Sequence, residues 1–216
     1  MIEKPLYGIV IIISILIHAT GNTGFAQHIS FGTYSSNSCI QINNVFTSEL
    51  QFDNLIAGSY ITREILLGGV NDDRVVVMEI VARADYEITV FVDTDDRHSG
   101  QDYLLGPENA KIPIELRFAY ANRDHINDNL QASTARTLAV EVSPGFNYVT
   151  FPMVRLVNGL PGPPPTPGYE GYNVPVTSAF LFFYGQVGPA IGEGVVAGIY
   201  TTNINVTVEY SNNYDN

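Results

Sequence analysis

Between Val195 and Ser211 the chain reads VVAGIYTTNINVTVEYS, and no other stretch limits the possible folds as tightly. From Tyr200 onward every second side chain (Tyr200, Thr202, Ile204, Val206, Val208, Tyr210) falls on one face, while Asn203, Asn205, Thr207 and Glu209 fall on the other. A period of two over this length marks a half-buried β-strand. Gly198 precedes it, and a missing side chain there permits a bend or a close backbone approach. Such a closing strand either completes a sheet or borders an unfilled place in one.

The remaining punctuation is also that of strands and turns. Leu50-Gln51-Phe52 is a short strand ended by Asp53-Asn54, and Ser59 to Leu67 is another, ended by Gly68-Gly69. Val75 to Ala84 alternates, as does the run through Tyr86, Ile88, Val90 and Val92, and the two are predicted to form a hairpin through Ala84-Asp85. Ile112 to Tyr120 alternates with Pro113 near its start, which points to an edge or a strand beginning. Leu138-Val140-Val142 and Tyr148 to Val154 follow around Pro144-Gly145. Ala179 to Tyr184, AFLFFY, is apolar on both faces, as in a strand covered on both sides or one at a subunit contact. Asn158 to Gly171 holds five prolines and is predicted to be a stiff, unpaired loop, and Asn122 to Ala135 a polar loop with at most one helical turn. The strands that follow the proline-rich loop are too few for a second domain, so the chain reads as one all-β domain.

At the other end Lys4 precedes an apolar run from Ile9 to Ile17, and Gly24-Phe25-Ala26 places small residues before Gln27. This is the pattern of a secretory signal peptide cleaved after Ala26. A membrane anchor needs about twenty apolar residues, roughly twice what is present. Removing Glu3 and Lys4 takes one charge of each sign and leaves the net charge at −12, with Lys111 the only lysine of the mature chain. A surface so acidic repels nucleic acid and anionic headgroups, which are bound through Lys and Arg. Cys39 stands alone, so it is either buried as a small hydrophobe or paired with another chain.

Catalytic and metal signals are weak, and no cofactor is expected. Asp93-Thr94-Asp95-Asp96 with Asp102 is rich in oxygen ligands, but the helical calcium-loop register needs glycine where His98 stands, so a solvated hairpin tip is the simpler reading. His98 and His125 lie near Asp96 and Asp124 without zinc-ligand spacing. Neither a nucleophile elbow nor a phosphate-binding glycine pattern occurs. No catalytic and no metal residue is assigned, and the chain is not expected to be an enzyme.

Gly198 with Tyr210 twelve residues on, and Ile204, Val206 and Val208 alternating between them, resembles the closing strand of chaperone-usher pilins and related secreted pilin-like proteins. The run from Leu50 to Gly58 resembles the first core strand and turn of such subunits. The resemblance implies an immunoglobulin-like β-sandwich that is incomplete and is completed by a donor strand from a neighbouring subunit. It implies an acceptor groove bordered by Gly198, Tyr200, Ile204, Val206, Val208 and Tyr210. The alternating segment Gln27 to Ser36, with Ile29, Phe31 and Thr33 on one face, is the candidate donor, and an ordinary first strand of the subunit's own sheet would look the same.

The expected organisation is therefore a signal peptide over residues 1–26, an N-terminal extension over 27–38 and a β-sandwich over 39–216. The function implied is a structural subunit of an extracellular filament that polymerises with itself, served by a periplasmic chaperone and an outer-membrane assembly protein. The alternative is a secreted monomeric β-sandwich that binds a carbohydrate or protein partner through its aromatic residues. An eight-stranded outer-membrane barrel is disfavoured, because the chain does not end in an aromatic residue and the proline-rich loop is a poor strand connection.

Overall fold

The alternating runs become two facing β-layers in the computed structural model, which describes residues 25–35, 39–68, 72–84, 86–98, 100–122, 132–154, 156–157, 160–161, 175–191 and 194–211. The expected signal peptide lies almost wholly outside these residues. The first layer runs in the order β11 (Tyr148–Pro152), β6 (Glu87–Thr94), β15 (Ile199–Tyr210), β1 (Phe25–Ser35), β3 (Glu49–Leu55). The second runs β7 (Arg97–His98), β8 (Gln101–Leu105), β9 (Lys111–Ala121), β14 (Val176–Val187), β5 (Val76–Arg83), β2 (Gln41–Asn44). Two short strands, β10 (Val140–Glu141) and β4 (Arg63–Ile65), extend β9 and β14 respectively. Thr201 opposite Leu105 joins the layers at one corner. The architecture is an all-β sandwich made by curling one sheet onto itself.

Side-chain alternation explains how the layers close. On β15 Tyr200, Thr202, Ile204, Val206 and Val208 are all buried, while Asn203 and Asn205 are exposed. From the first layer the Phe31 ring meets Phe183 of β14 at 4.8 Å, and Phe183 stacks on Phe118 of β9 at 6.0 Å. Tyr120 of β9 and Phe151 of β11 lie nearly parallel at 4.4 Å. Apolar rows from the two layers thus share one core.

The double-sided apolar strand is covered on both sides. Ala179, Leu181 and Phe183 alternate with Phe180, Phe182 and Tyr184, and all six are buried. The Phe183 row faces the first layer through Phe31. On the opposite row a short helix, α1 (Ala132–Thr137), lays the Arg136 guanidinium 5.9 Å from the Phe182 ring and buries Ala135. Burial of a Phe on this outer face stabilises by about 1.5–3 kcal/mol, which gives a six-residue helix of modest propensity a reason to form.

Three sequence expectations are corrected. The segments before and after Ala84 do not pair with each other: β5 pairs with β14 and β2, and β6 pairs with β15 and β11. The Ala84 amide donates to the Pro175 carbonyl at 2.8 Å, so the chain steps between layers there and makes no hairpin. Of Ser59 to Leu67 only Arg63–Ile65 is strand. The proline-rich stretch does pair near its start, where β13 (Leu160–Pro161) meets β12 (Leu156–Val157), with residues 158–159 and 162–171 outside the described residues.

Candidate functional site

β15 places its two edges differently. One edge pairs antiparallel with β6 from Ile204↔Thr94 to Tyr210↔Ile88, and the other pairs in parallel with β1 from Ala26↔Ile199 to Ser35↔Val208. β1 is in turn bordered by antiparallel β3 as far as Ser30↔Glu49. Residues 27–30 therefore fill a slot between two strands, while from Gly32 to Tyr34 only β15 is paired beside them. This is the parallel pair of the sheet; the other pairings described are antiparallel.

The proposed donor and acceptor residues meet here, within one chain. Ile29 lies opposite Thr202 and Leu50 and is buried, and Phe31 lies opposite Ile204 with its ring on Phe183. Thr33 lies opposite Val206 but is exposed, since β3 no longer flanks it. Gln27, opposite Tyr200 and Phe52, is only 2 % exposed, and neither its side-chain nitrogen nor its oxygen has a hydrogen-bond partner among the described residues. His28 Nδ1 lies 3.6 Å from the Glu49 carboxylate, beyond hydrogen-bond reach.

Glycine and tyrosine at the start of β15 act on the neighbouring β8–β9 connection. A Cβ on Gly198 would lie 2.5 Å from Pro107 Cγ, and a Cβ on Gly106 would collide with the Tyr200 ring. The Tyr200 hydroxyl donates to the Val196 carbonyl at 2.9 Å and accepts from the Val196 amide at 3.1 Å. At the far end the Tyr210 hydroxyl accepts from the Arg83 amide at 3.0 Å, and its ring lies 5.5 Å from Tyr86. Burial pushes this phenol above its ordinary range, against the opposing pull of the Arg83 amide and charge. The Arg83 guanidinium also donates to Cys39 Sγ at 3.3 Å. Cys39 is half-buried and forms no disulfide among the described residues. Tyr210, Arg83 and Cys39 thereby tie the end of β15 to the end of β5 and to the residues that lead into β2.

The acidic loop is occupied by its own neighbours. Asp95 accepts from Asn205 at 2.8 Å and from Asn203 at 3.4 Å, Asp96 accepts from Thr202 at 2.8 Å, and Asp102 is held by Arg97 at 2.7 Å. Among the described residues no three or more His, Cys, Asp or Glu side chains are grouped to hold a metal. His125 and Asp124 lie outside the described residues. No helix among the described residues is long and apolar enough to cross a membrane.

Neither a known family profile nor a curated protein matches the sequence. Among solved structures the chain is similar to CfaE, the adhesive subunit of the CFA/I fimbria of enterotoxigenic Escherichia coli, at 6% identity and a TM-score of 0.34, over 84% of this chain and 46% of that one. A point mutant of the same adhesin aligns at 7% identity and a TM-score of 0.31, over 85% and 46%. The chain thus spans less than half the length of these adhesins. So distant a likeness leaves function to be argued from the strands themselves.

Proposed function

We propose that this chain is a structural subunit of an extracellular, pilus-like filament in which β1 of one copy fills the slot between β15 and β3 of the next. The observation that carries this reading is the seating of β1. It is the first described strand, it joins the sandwich through a slot between two other strands, and its anchors are Ile29 and Phe31. An identical strand from a second copy makes identical contacts in the same slot. Exchange in one direction along a row of subunits is a head-to-tail contact that leaves an empty slot at one end and a spare strand at the other. A subunit whose own β1 has left the slot exposes edges of β15 and β3 that invite added strands, so until a neighbour's strand arrives it needs a chaperone over the slot and an outer-membrane protein at which the exchange occurs.

A covalent trap separates the two seatings of β1. The ideal Cβ of Gly32 lies 3.2 Å from Asn205 Oδ1, which places the two side chains together on one face of adjacent strands. Gly32→Cys with Asn205→Cys, in a Cys39→Ser background, should give a ladder of disulfide-linked multimers on a non-reducing gel of assembled material. Monomers carrying only an internal disulfide would show that each subunit keeps its own strand.

A second reading rests on an aromatic row on the first layer. Phe91 lies 6.2 Å from Tyr148, and Tyr148 lies 6.3 Å from Phe146, with Tyr148 and Phe146 both about half exposed. Such a platform suits the apolar face of a sugar, as in a monomeric carbohydrate-binding module. Internal disulfides in the trap, together with sugar-dependent quenching of tyrosine fluorescence that Tyr148→Ala abolishes, would favour it.

A further inference from the structure

Gln27 is a buried polar residue with no account in the fold. It sits between Tyr200 and Phe52, both buried, and its side-chain amide has no hydrogen-bond partner among the described residues. A buried amide left without partners is destabilising, and its persistence calls for a reason. Cleavage after Ala26 sharpens the problem, because it would also put an ammonium group at the backbone nitrogen of Gln27, inside the slot. An unpaired charge at such a site is costlier still.

We propose that the mature chain begins with residue 27 as pyroglutamate, formed by cyclisation of Gln27; the proposal rests on the secretory reading and its cleavage after Ala26. The freed α-amine attacks the side-chain carbonyl carbon Cδ. A bond forms between the backbone nitrogen and Cδ, the bond from Cδ to Nε2 breaks, and Nε2 leaves as ammonia with a proton taken from the amine. Nothing is oxidised or reduced. The five-membered lactam keeps one N–H at the backbone position of the strand and one carbonyl oxygen. The positive charge and the unpartnered NH2 group are both gone. Glutamine is suited to this because its amide carbon reaches the α-nitrogen in a five-membered ring and ammonia is a competent leaving group. The ring is also more compact and less polar than the open side chain, which fits a place between Tyr200 and Phe52.

The test is mass spectrometry of the first peptide of the exported protein, recovered from a host that processes secretory signals, with Edman degradation alongside. Pyroglutamate gives a peptide starting at residue 27 that is lighter by one ammonia and blocked to Edman chemistry until pyroglutamyl peptidase is added. A peptide starting at Gln27 with a free amine would overturn the proposal while leaving the cleavage reading intact. A mature chain starting at any other residue would overturn both.

Discussion

Gly106 and Tyr200 show how much one hydrogen atom decides. Any Cβ at Gly106 would overlap the Tyr200 ring, and Tyr200 is fully buried with its hydroxyl fixed to Val196, so the ring has nowhere to move. Gly106→Ala should therefore lower stability by about 1–3 kcal/mol, the usual cost of overpacking, read as a lower urea midpoint with an unchanged slope. Tyr184 gives a residue-level prediction in pH. Its phenol is pushed from an ordinary 10 to about 12 by burial, with the Glu141 carboxylate adding to the effect and Arg117 opposing it. Below pH 10 the folded and unfolded chains both hold this proton; above it the unfolded chain releases it first, so stability falls as pH rises toward 12. Tyr210 is shifted in the same direction. Tyr184→Phe should flatten the alkaline slope of the urea midpoint without abolishing it.

Among the elements, β14 carries the heaviest apolar load. Phe182 is fully buried on the face that α1 covers, away from the row that meets Phe31. Phe182→Ala should cost about 3–5 kcal/mol and loosen α1 first, giving faster amide exchange at Ala135 than in the first layer. The strand itself was legible from AFLFFY, whose lack of alternation requires cover on both sides. What covers it was not, because ASTART has no apolar period and forms a helix only through packing. The same distinction runs through the molecule. Alternation on β15, β9, β5 and β6 is local and could be read directly, whereas pairing is a long-range choice. A turn at Ala84 looks the same whether the next strand returns beside β5 or crosses to the other layer. Polar β2 (Gln41–Asn44) carries too few apolar positions to announce itself. At the candidate site a shared face could be read from the sequence, and its geometry could not. Ile29 and Phe31 were visible as one face of a strand, but nothing local says that Thr33, on that same face, emerges into solvent once β3 ends.

For the whole molecule the central question is who supplies β1. Ile29 and Phe31 together contribute roughly 3–6 kcal/mol of burial to whichever sandwich holds them, a large share of a typical domain's stability of about 5–15 kcal/mol. Because the strand occupies its own chain's slot here, Ile29→Asp with Phe31→Asp would damage the single subunit as well as any junction. Loss of polymer in that variant alone would therefore decide nothing. Removing the strand and returning it as a separate molecule does better. A chain lacking Gln27 to Ser36 exposes one edge of β15 and one of β3, together with Phe183 beneath them, and should aggregate or melt early. A synthetic peptide of the same ten residues should restore a cooperative melt, with a midpoint that rises with the logarithm of peptide concentration. The same peptide carrying Asp at both anchor positions should restore nothing. Rescue means that the slot accepts the strand in trans, the one capacity that exchange between copies requires. Failure of the native peptide to rescue, with the truncated chain still partly folded, would mean that β1 is inseparable from its own subunit and that the filament reading is wrong.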